Sequence, residues 1–135
     1  MKLTVSTQEE SCYLAVEVVG DWDLEILKSL AGTLAIQTKN LKYDRVLVDA
    51  IKVSRAQQDI DRFLLGMHVA SVSKGIKIAV VIPAEHIDYF FEDAAVNRGA
   101  EVSVFADKQT ALQWLLEDRS NNRQSGTGNV RFSPR

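Results

Sequence analysis

Asp49, Lys52, Ser54 and Arg55 lie in one short stretch. They follow an apolar run, Val46-Leu47-Val48, and precede a segment with helical spacing. A serine flanked by lysine and arginine at the start of a helix suits an anion, because free backbone N–H groups and the positive end of the helix dipole attract negative charge there. The sharper reading is a small-anion or phosphoserine site built from Ser54, Lys52 and Arg55. The plainer one is a capped helix with solvated basic residues. Ser54-Arg55-Ala56-Gln57 has the form of a capping box, in which the serine hydroxyl bonds forward and the glutamine reaches back. Phosphorylation of Ser54 would break that bond but set a dianion beside the dipole. Asp49 at the strand's end reads as an acceptor that braces the loop. Its alternative is a general base, which needs a positioned partner.

Other reactive side chains are scattered. His68 and His86 fall on different predicted helices, and no carboxylate or cysteine spacing joins them into a metal set. Cys12 is the single cysteine, so no disulfide within the chain can form, and it reads as a small strand residue. Gly20 is isolated and Gly126 and Gly128 lie near the C-terminus, so there is no phosphate-cradling glycine loop. The pattern implies no cofactor, no metal and no catalytic centre.

The elements that position the 49–55 stretch follow from periodicity. Residues 3–6 and 12–19 read as paired strands, the second alternating Cys12, Leu14, Val16, Val18 against Tyr13, Ala15, Glu17, Val19. Gly20 ends it, and Asp21 or Asp23 caps a helix to about Thr38 with an inner stripe of Leu24, Leu27, Ala31, Leu34 and Ala35. Trp22 at its mouth reads as packed. A strand over 45–50 follows. The next helix presents Ile60, Phe63, Leu64 and Met67, with Ala70 and Val72 extending the stripe, and ends at Lys74-Gly75. Ile76–Ile82 is a strand closed by Pro83. A third helix starts near Ala84 or Glu85, turns Ile87, Phe90, Phe91, Ala94 and Ala95 inward, and stops at Asn97-Arg98-Gly99. Glu101–Phe105 is the last strand, and Asp107 caps a helix over 107–117.

After a hairpin, strands and helices alternate, which predicts an α/β fold with a mostly parallel sheet in the order β-β-α-β-α-β-α-β-α. Each later strand has one aliphatic face and one mixed face, so the helices are expected mainly on one side, as right-handed crossovers between neighbouring strands require. The mixed face, with Tyr13, Ala15, Val19, Leu47, Val81 and Phe105, is expected to be an open patch suited to a homodimer.

The 135 residues suit one domain, over 1–118, and 46% hydrophobic with 25% charged residues is ordinary for a globular chain. A net charge of -2 disfavours a dedicated nucleic-acid binder. No apolar run is long enough to span a bilayer, and polar Ser6–Glu10 follow the first residues at once, so a cytoplasmic location is expected. Residues 119–135 carry four arginines and no acid, which reads as a flexible basic tail or a docking arm for an acidic partner.

Several stretches in their order resemble the STAS superfamily, which includes the anti-sigma-factor antagonists, and above all its bacterial STAS-like proteins. They are Val18-Val19-Gly20-Asp21, RVLVDA over 45–50, Asp61-Arg62-Phe63, KIAVVIP over 77–83, Ala95-Val96-Asn97-Arg98-Gly99-Ala100, and Val104-Phe105-Ala106-Asp107 with Ala111-Leu112-Gln113-Trp114-Leu115. The likeness covers about residues 1–117. It implies a four-to-five-stranded sheet with helices on one side, and a regulatory, protein-binding role whose partner is an anti-sigma factor or a kinase. In the antagonists a partner kinase phosphorylates a serine within Asp-Ser-Ser-Gly at the start of the helix after the central strand. Here that motif is absent: the region reads Lys52-Val53-Ser54-Arg55-Ala56-Gln57-Gln58-Asp59. The resemblance also implies a second class, a small-molecule or lipid-binding module, because STAS-like folds stand beside CRAL-TRIO-like lipid carriers. That class requires an interior cavity.

Overall fold

The computed structural model describes residues 1–56 and 58–117. Gln57 and the expected basic tail over 119–135 lie outside the described residues.

Five strands form one sheet in sequence order: β1 (Thr4–Glu9), β2 (Leu14–Gly20), β3 (Arg45–Val53), β4 (Lys77–Val81) and β5 (Glu101–Phe105). β1 is antiparallel to β2, and every later neighbour pair is parallel. Parallel neighbours need a crossover, and three helices supply them: α1 (Leu24–Asn40), α2 (Asp59–Val72) and α3 (Phe90–Val96). Crossovers of one hand that step always to the next strand leave their helices on the same face. Leu14, Val16, Val18, Val46 and Val48 meet α1 there, while Ile78, Val80 and Val102 meet α2 and α3. α1 starts where Asp23 Oδ1 accepts the Ile26 N–H at 3.1 Å.

The last helix, α4 (Lys108–Leu115), goes to the other face. Ala111 and Leu115 pack on Leu47, Ala79 and Val81, with Tyr13, Phe105 and Trp114 at the margin. α4 thereby covers Leu47 and Val81 in the apolar patch expected to support a homodimer, and leaves Tyr13, Ala15, Val19 and Phe105 partly exposed. With one face occupied by three helices, the reverse offers the remaining apolar surface on which α4 can bury its own stripe. Lys77, on the mixed face of β4, is fully buried beneath α4. Its Nζ donates to Trp114 O at 2.6 Å and lies 4.5 Å from the Trp114 ring centroid, so its charge sits at the negative end of the helix.

Asp107 caps α4: Oδ1 accepts the Thr110 N–H at 2.9 Å and Oδ2 accepts the Thr110 hydroxyl at 3.1 Å. These hydrogen bonds to the ionised form hold its carboxyl below the usual aspartate value. Because the folded-state value is the lower one, its contribution to stability is complete above the ordinary value of about 3.9. The contribution is lost as pH falls through the depressed folded value. Asp107→Ala is thus expected to lower the unfolding midpoint at neutral pH, with the gap to the parent chain closing as pH drops below 4. Parallel urea titrations across pH check this, and a gap that stays constant down to pH 2 would refute it.

Two helices differ from expectation. The third helix begins at Phe90, not at Ala84 or Glu85; Ala84–His86 form a single 3-10 turn. On α2 the buried side is Arg62, Leu65, Gly66, Val69 and Ala70. Ile60 and Leu64, expected inward, are 51% and 38% exposed. The reason is Gly66. It lets α2 press against α3 so closely that a Cβ there would lie 2.4 Å from Phe91 O. Seating that contact turns the Ile60–Leu64 stripe outward.

Candidate functional site

β3 runs past Asp49 to Val53, so the expected loop is mostly strand. The register between β2 and β3 slips between Glu17 and Val19, where β3 holds one extra residue. A bulge of this kind takes a backbone N–H out of the ladder. Asp49 Oδ1 accepts the N–H of Ile51 at 3.1 Å, and Oδ2 is 3.6 Å from Lys108 Nζ. Both oxygens of Asp49 are thereby engaged. Lys52 pairs across β2 with Glu17 at 3.9 Å and does not join Ser54 and Arg55.

Ser54 follows β3 directly and does not cap α2, whose N-cap is Gln58 with no side-chain bond. Instead Ser54 Oγ accepts the Trp22 N–H at 2.8 Å, and the Ser54 N–H donates to Gly20 O at 3.0 Å. Ser54 is therefore not the cap of α2: its hydroxyl serves the β2–α1 turn instead. That cross-link ties together the two turns at the C-terminal ends of β2 and β3, the edge where open α/β sheets bind ligands.

Beside Ser54 lies the mouth of a cavity of about 210 Å³. Its walls are the aliphatic side of the sheet, the inner side of α1 and the buried side of α2, and they are almost wholly apolar. Polar groups gather at the mouth: Ser54, Arg55, Arg62, His86 and Asp88. Arg62 organises it. Its guanidinium ion-pairs with Asp88 and Asp59, donates to Ala56 O at 3.3 Å, and lies 5.8 Å from the Phe90 ring centroid. Arg55 approaches the same Asp88 at 3.7 Å. The next residue, Tyr89, has φ 69°, a left-handed conformation that costs a residue with a side chain. Ile87–Tyr89 thus line the cavity, with Tyr89 in a strained backbone next to the Asp88 that pairs with Arg62.

Arg62, Asp88, Tyr89 and the cavity itself were missed in the sequence reading. The Asp59–Arg62 spacing was a legible signal for a pair along one helix, but nothing local points Arg62 inward. The two histidines stay apart, His86 at the mouth and His68 on α2, and among the described residues no three potential metal ligands cluster.

A five-stranded mixed sheet with its crossover helices on one face and a terminal helix on the other is the STAS fold, also termed SpoIIAA-like. Solved structures share it. An anti-sigma factor antagonist from Mycobacterium paratuberculosis superposes with a TM-score of 0.61 at 13% identity, covering 86% of this chain and 96% of that one. An uncharacterized protein of the DUF3478 family with a SpoIIAA-like fold, from Shewanella loihica PV-4, superposes with a TM-score of 0.52 at 21% identity, covering 84% and 93%. No protein-family model and no curated protein matches the chain.

Proposed function

We propose that this chain is a non-enzymatic regulatory module of STAS type that acts in the cytoplasm by binding a protein partner, an anti-sigma factor or a kinase. The observation that carries this reading is on α2. Ile60 and Leu64 stand exposed one helical turn apart, just beyond the loop that carries exposed Ser54 and Arg55. Apolar side chains flanked by a phosphorylatable hydroxyl and a cation suit a protein contact. The likeness of fold to an anti-sigma factor antagonist supports the choice of partner. Asp49 acts as the brace of the β3 bulge, since both its oxygens are taken. Ser54, with Arg55 beside it and Lys52 near the strand end, is the site at which a phosphate would regulate the contact.

The test is capture of an anti-sigma factor or kinase from native cells, followed by titration of the purified pair. Ile60→Asp and Leu64→Asp are each expected to weaken binding at least tenfold, about 1.4 kcal/mol, and Ser54→Glu to change it while Ser54→Ala does not. Binding that is indifferent to both α2 variants would refute the reading. A second reading, a small-molecule or lipid-binding module, is favoured by one specific observation: the apolar cavity behind the same loop.

A further inference from the structure

The sheet has two edges, and the chain treats them differently. At β5 the outward side is closed. Phe105 O takes the Ile82 N–H on the β4 side, so Val104, one residue earlier, turns its own N–H away from the sheet. Glu92 Oε1 accepts that N–H at 3.0 Å, from a carboxylate buried on α3. Among the described residues nothing comparable guards β1, and all six of its residues are exposed. Folded proteins blunt a free strand edge with lysine, proline, a bulge or a covering element, because its unpaired backbone groups are a template for another strand. β1 reads Thr4-Val5-Ser6-Thr7-Gln8-Glu9, with no lysine or proline, and its register with β2 is unbroken from Thr4 to Glu9.

Two bonds fix which backbone groups point outward. Glu10 N–H donates to Tyr13 O at 3.0 Å, toward β2, and Gly20 O accepts the Ser54 N–H at 3.0 Å, on the β3 side. In an antiparallel ladder successive residues alternate in the side to which they turn both N–H and C=O. Thr4, Ser6 and Gln8 therefore face Val19, Glu17 and Ala15 of β2. Val5, Thr7 and Glu9 turn their N–H and C=O groups to the free edge.

We infer that this edge joins a second copy of the chain, β1 against β1 in antiparallel, about a two-fold axis at Ser6. Val5 of each copy then meets Thr7 of the other, outward donor to outward acceptor. The charges choose both the occupant and the register. Lys2 precedes β1 and Glu10 follows it. With the axis at Ser6, Lys2 of each copy stands opposite Glu10 of the other, and the attraction is made twice. The neighbouring registers that still oppose outward groups set Lys2 against Gln8 or Cys12 and lose both pairs. Glu9 meets Leu3, so no like charges face each other. A foreign strand would need the same two charges at the same spacing in reverse order. This chain supplies them to itself, as a self-complementary two-fold interface requires.

The axis stands normal to the sheet, so two five-stranded sheets become one, with α1, α2 and α3 of both copies on the same side. The exposed Ile60 and Leu64 of both copies then face one way. The dimer stands independently of the partner-binding reading. One strand's width is a small interface, so the dimer is expected to dissociate on dilution.

The test is sedimentation equilibrium of the full chain from micromolar to millimolar concentration at low salt, with amide hydrogen exchange over the same range. The mass is expected to rise from one chain to two, with exchange at the Val5 and Thr7 amides slowing as it does. Thr7→Pro removes an N–H that points away from β2, a place where an edge strand tolerates proline. That variant is expected to stay monomeric throughout. Lys2→Glu and Glu10→Lys are each expected to weaken the dimer about tenfold, and the two together in one chain to restore it. Should Thr7→Pro not fold, the charge variants decide, since both positions lie outside β1. A dimer indifferent to Thr7→Pro, or a double charge variant no stronger than the singles, would overturn the inference and place the contact elsewhere. A chain that stays monomeric would overturn it too. Edge amides slowed equally at every concentration would then show the edge covered from within the chain, and fast ones would leave it to a strand of another protein.

Discussion

Arg62→Met is expected to lower the stability of this chain by about 3 kcal/mol, and Asp88→Leu made in addition is expected to restore most of it. Arg62 is among the most deeply buried charges of the described residues, with a side chain 8% exposed, and Asp88 beside it is 23% exposed. Removing one partner of a buried pair costs about 3–5 kcal/mol because the other charge is left in a poor solvent. The lower end applies here. Asp88 keeps some water and keeps Arg55 at 3.7 Å, so the stranded carboxylate is partly relieved. Removing both partners takes away the desolvation penalty along with the attraction, which is why the double variant recovers. Urea unfolding of the two single variants and the double closes the cycle, read from midpoints at unchanged slope. A double variant as unstable as the sum of the two singles would show that Arg62 and Asp88 do not depend on each other.

The same pair shows why the site was only half legible in the sequence. Alternation and helical period are local signals. They placed β2, β4 and β5, the stripe and cap of α1, and the alternation of strand and helix, because each depends on residues a few positions apart. Ser54 and Arg55 were legible as a polar pair after the central strand for the same reason. What they do was not. Ser54 has the neighbours of a helix cap, yet its hydroxyl takes the N–H of Trp22 from a turn far away in sequence. Lys77 carries a charge on the mixed face of β4, and is buried because α4 crosses to that face and presents its C-terminal carbonyls there. The inner side of α2 was inferred from its larger apolar residues, and the contact with α3 overrode that choice. A cavity has no local signature at all. It is what remains when α2 is held close to α3 while α1 covers the neighbouring part of the same sheet face.

The close α2–α3 seam gives alanine opposite effects at two glycines. Gly66→Ala is expected to destabilise by about 2 kcal/mol, and Gly32→Ala to stabilise by up to about 1 kcal/mol. Both are interior helix positions, so both substitutions gain about 1 kcal/mol of helix propensity. At Gly32, on α1, an added Cβ meets nothing within 4 Å, and the gain stands. At Gly66 it would sit 2.4 Å from Phe91 O and 2.9 Å from Ala94 Cβ. Neither neighbour is a flexible side-chain tip, so α2 and α3 must separate. Overpacking of this kind costs about 1–3 kcal/mol and more where backbone must move, which outweighs the propensity. Gly66→Val, with a β-branched side chain at the same contact, is expected not to fold. The consequence reaches the mouth, because α3 begins directly after Tyr89 and any retreat of α3 carries the strained segment with it. Gly66→Ala should therefore loosen the turn at Tyr89 as well as the seam, seen as faster hydrogen exchange at the Phe90 and Asp93 amides, which bond to Asp88 and Tyr89. Equal stabilisation at both glycines would mean that α2 and α3 are not pressed together, and the cavity would lose the wall that defines it.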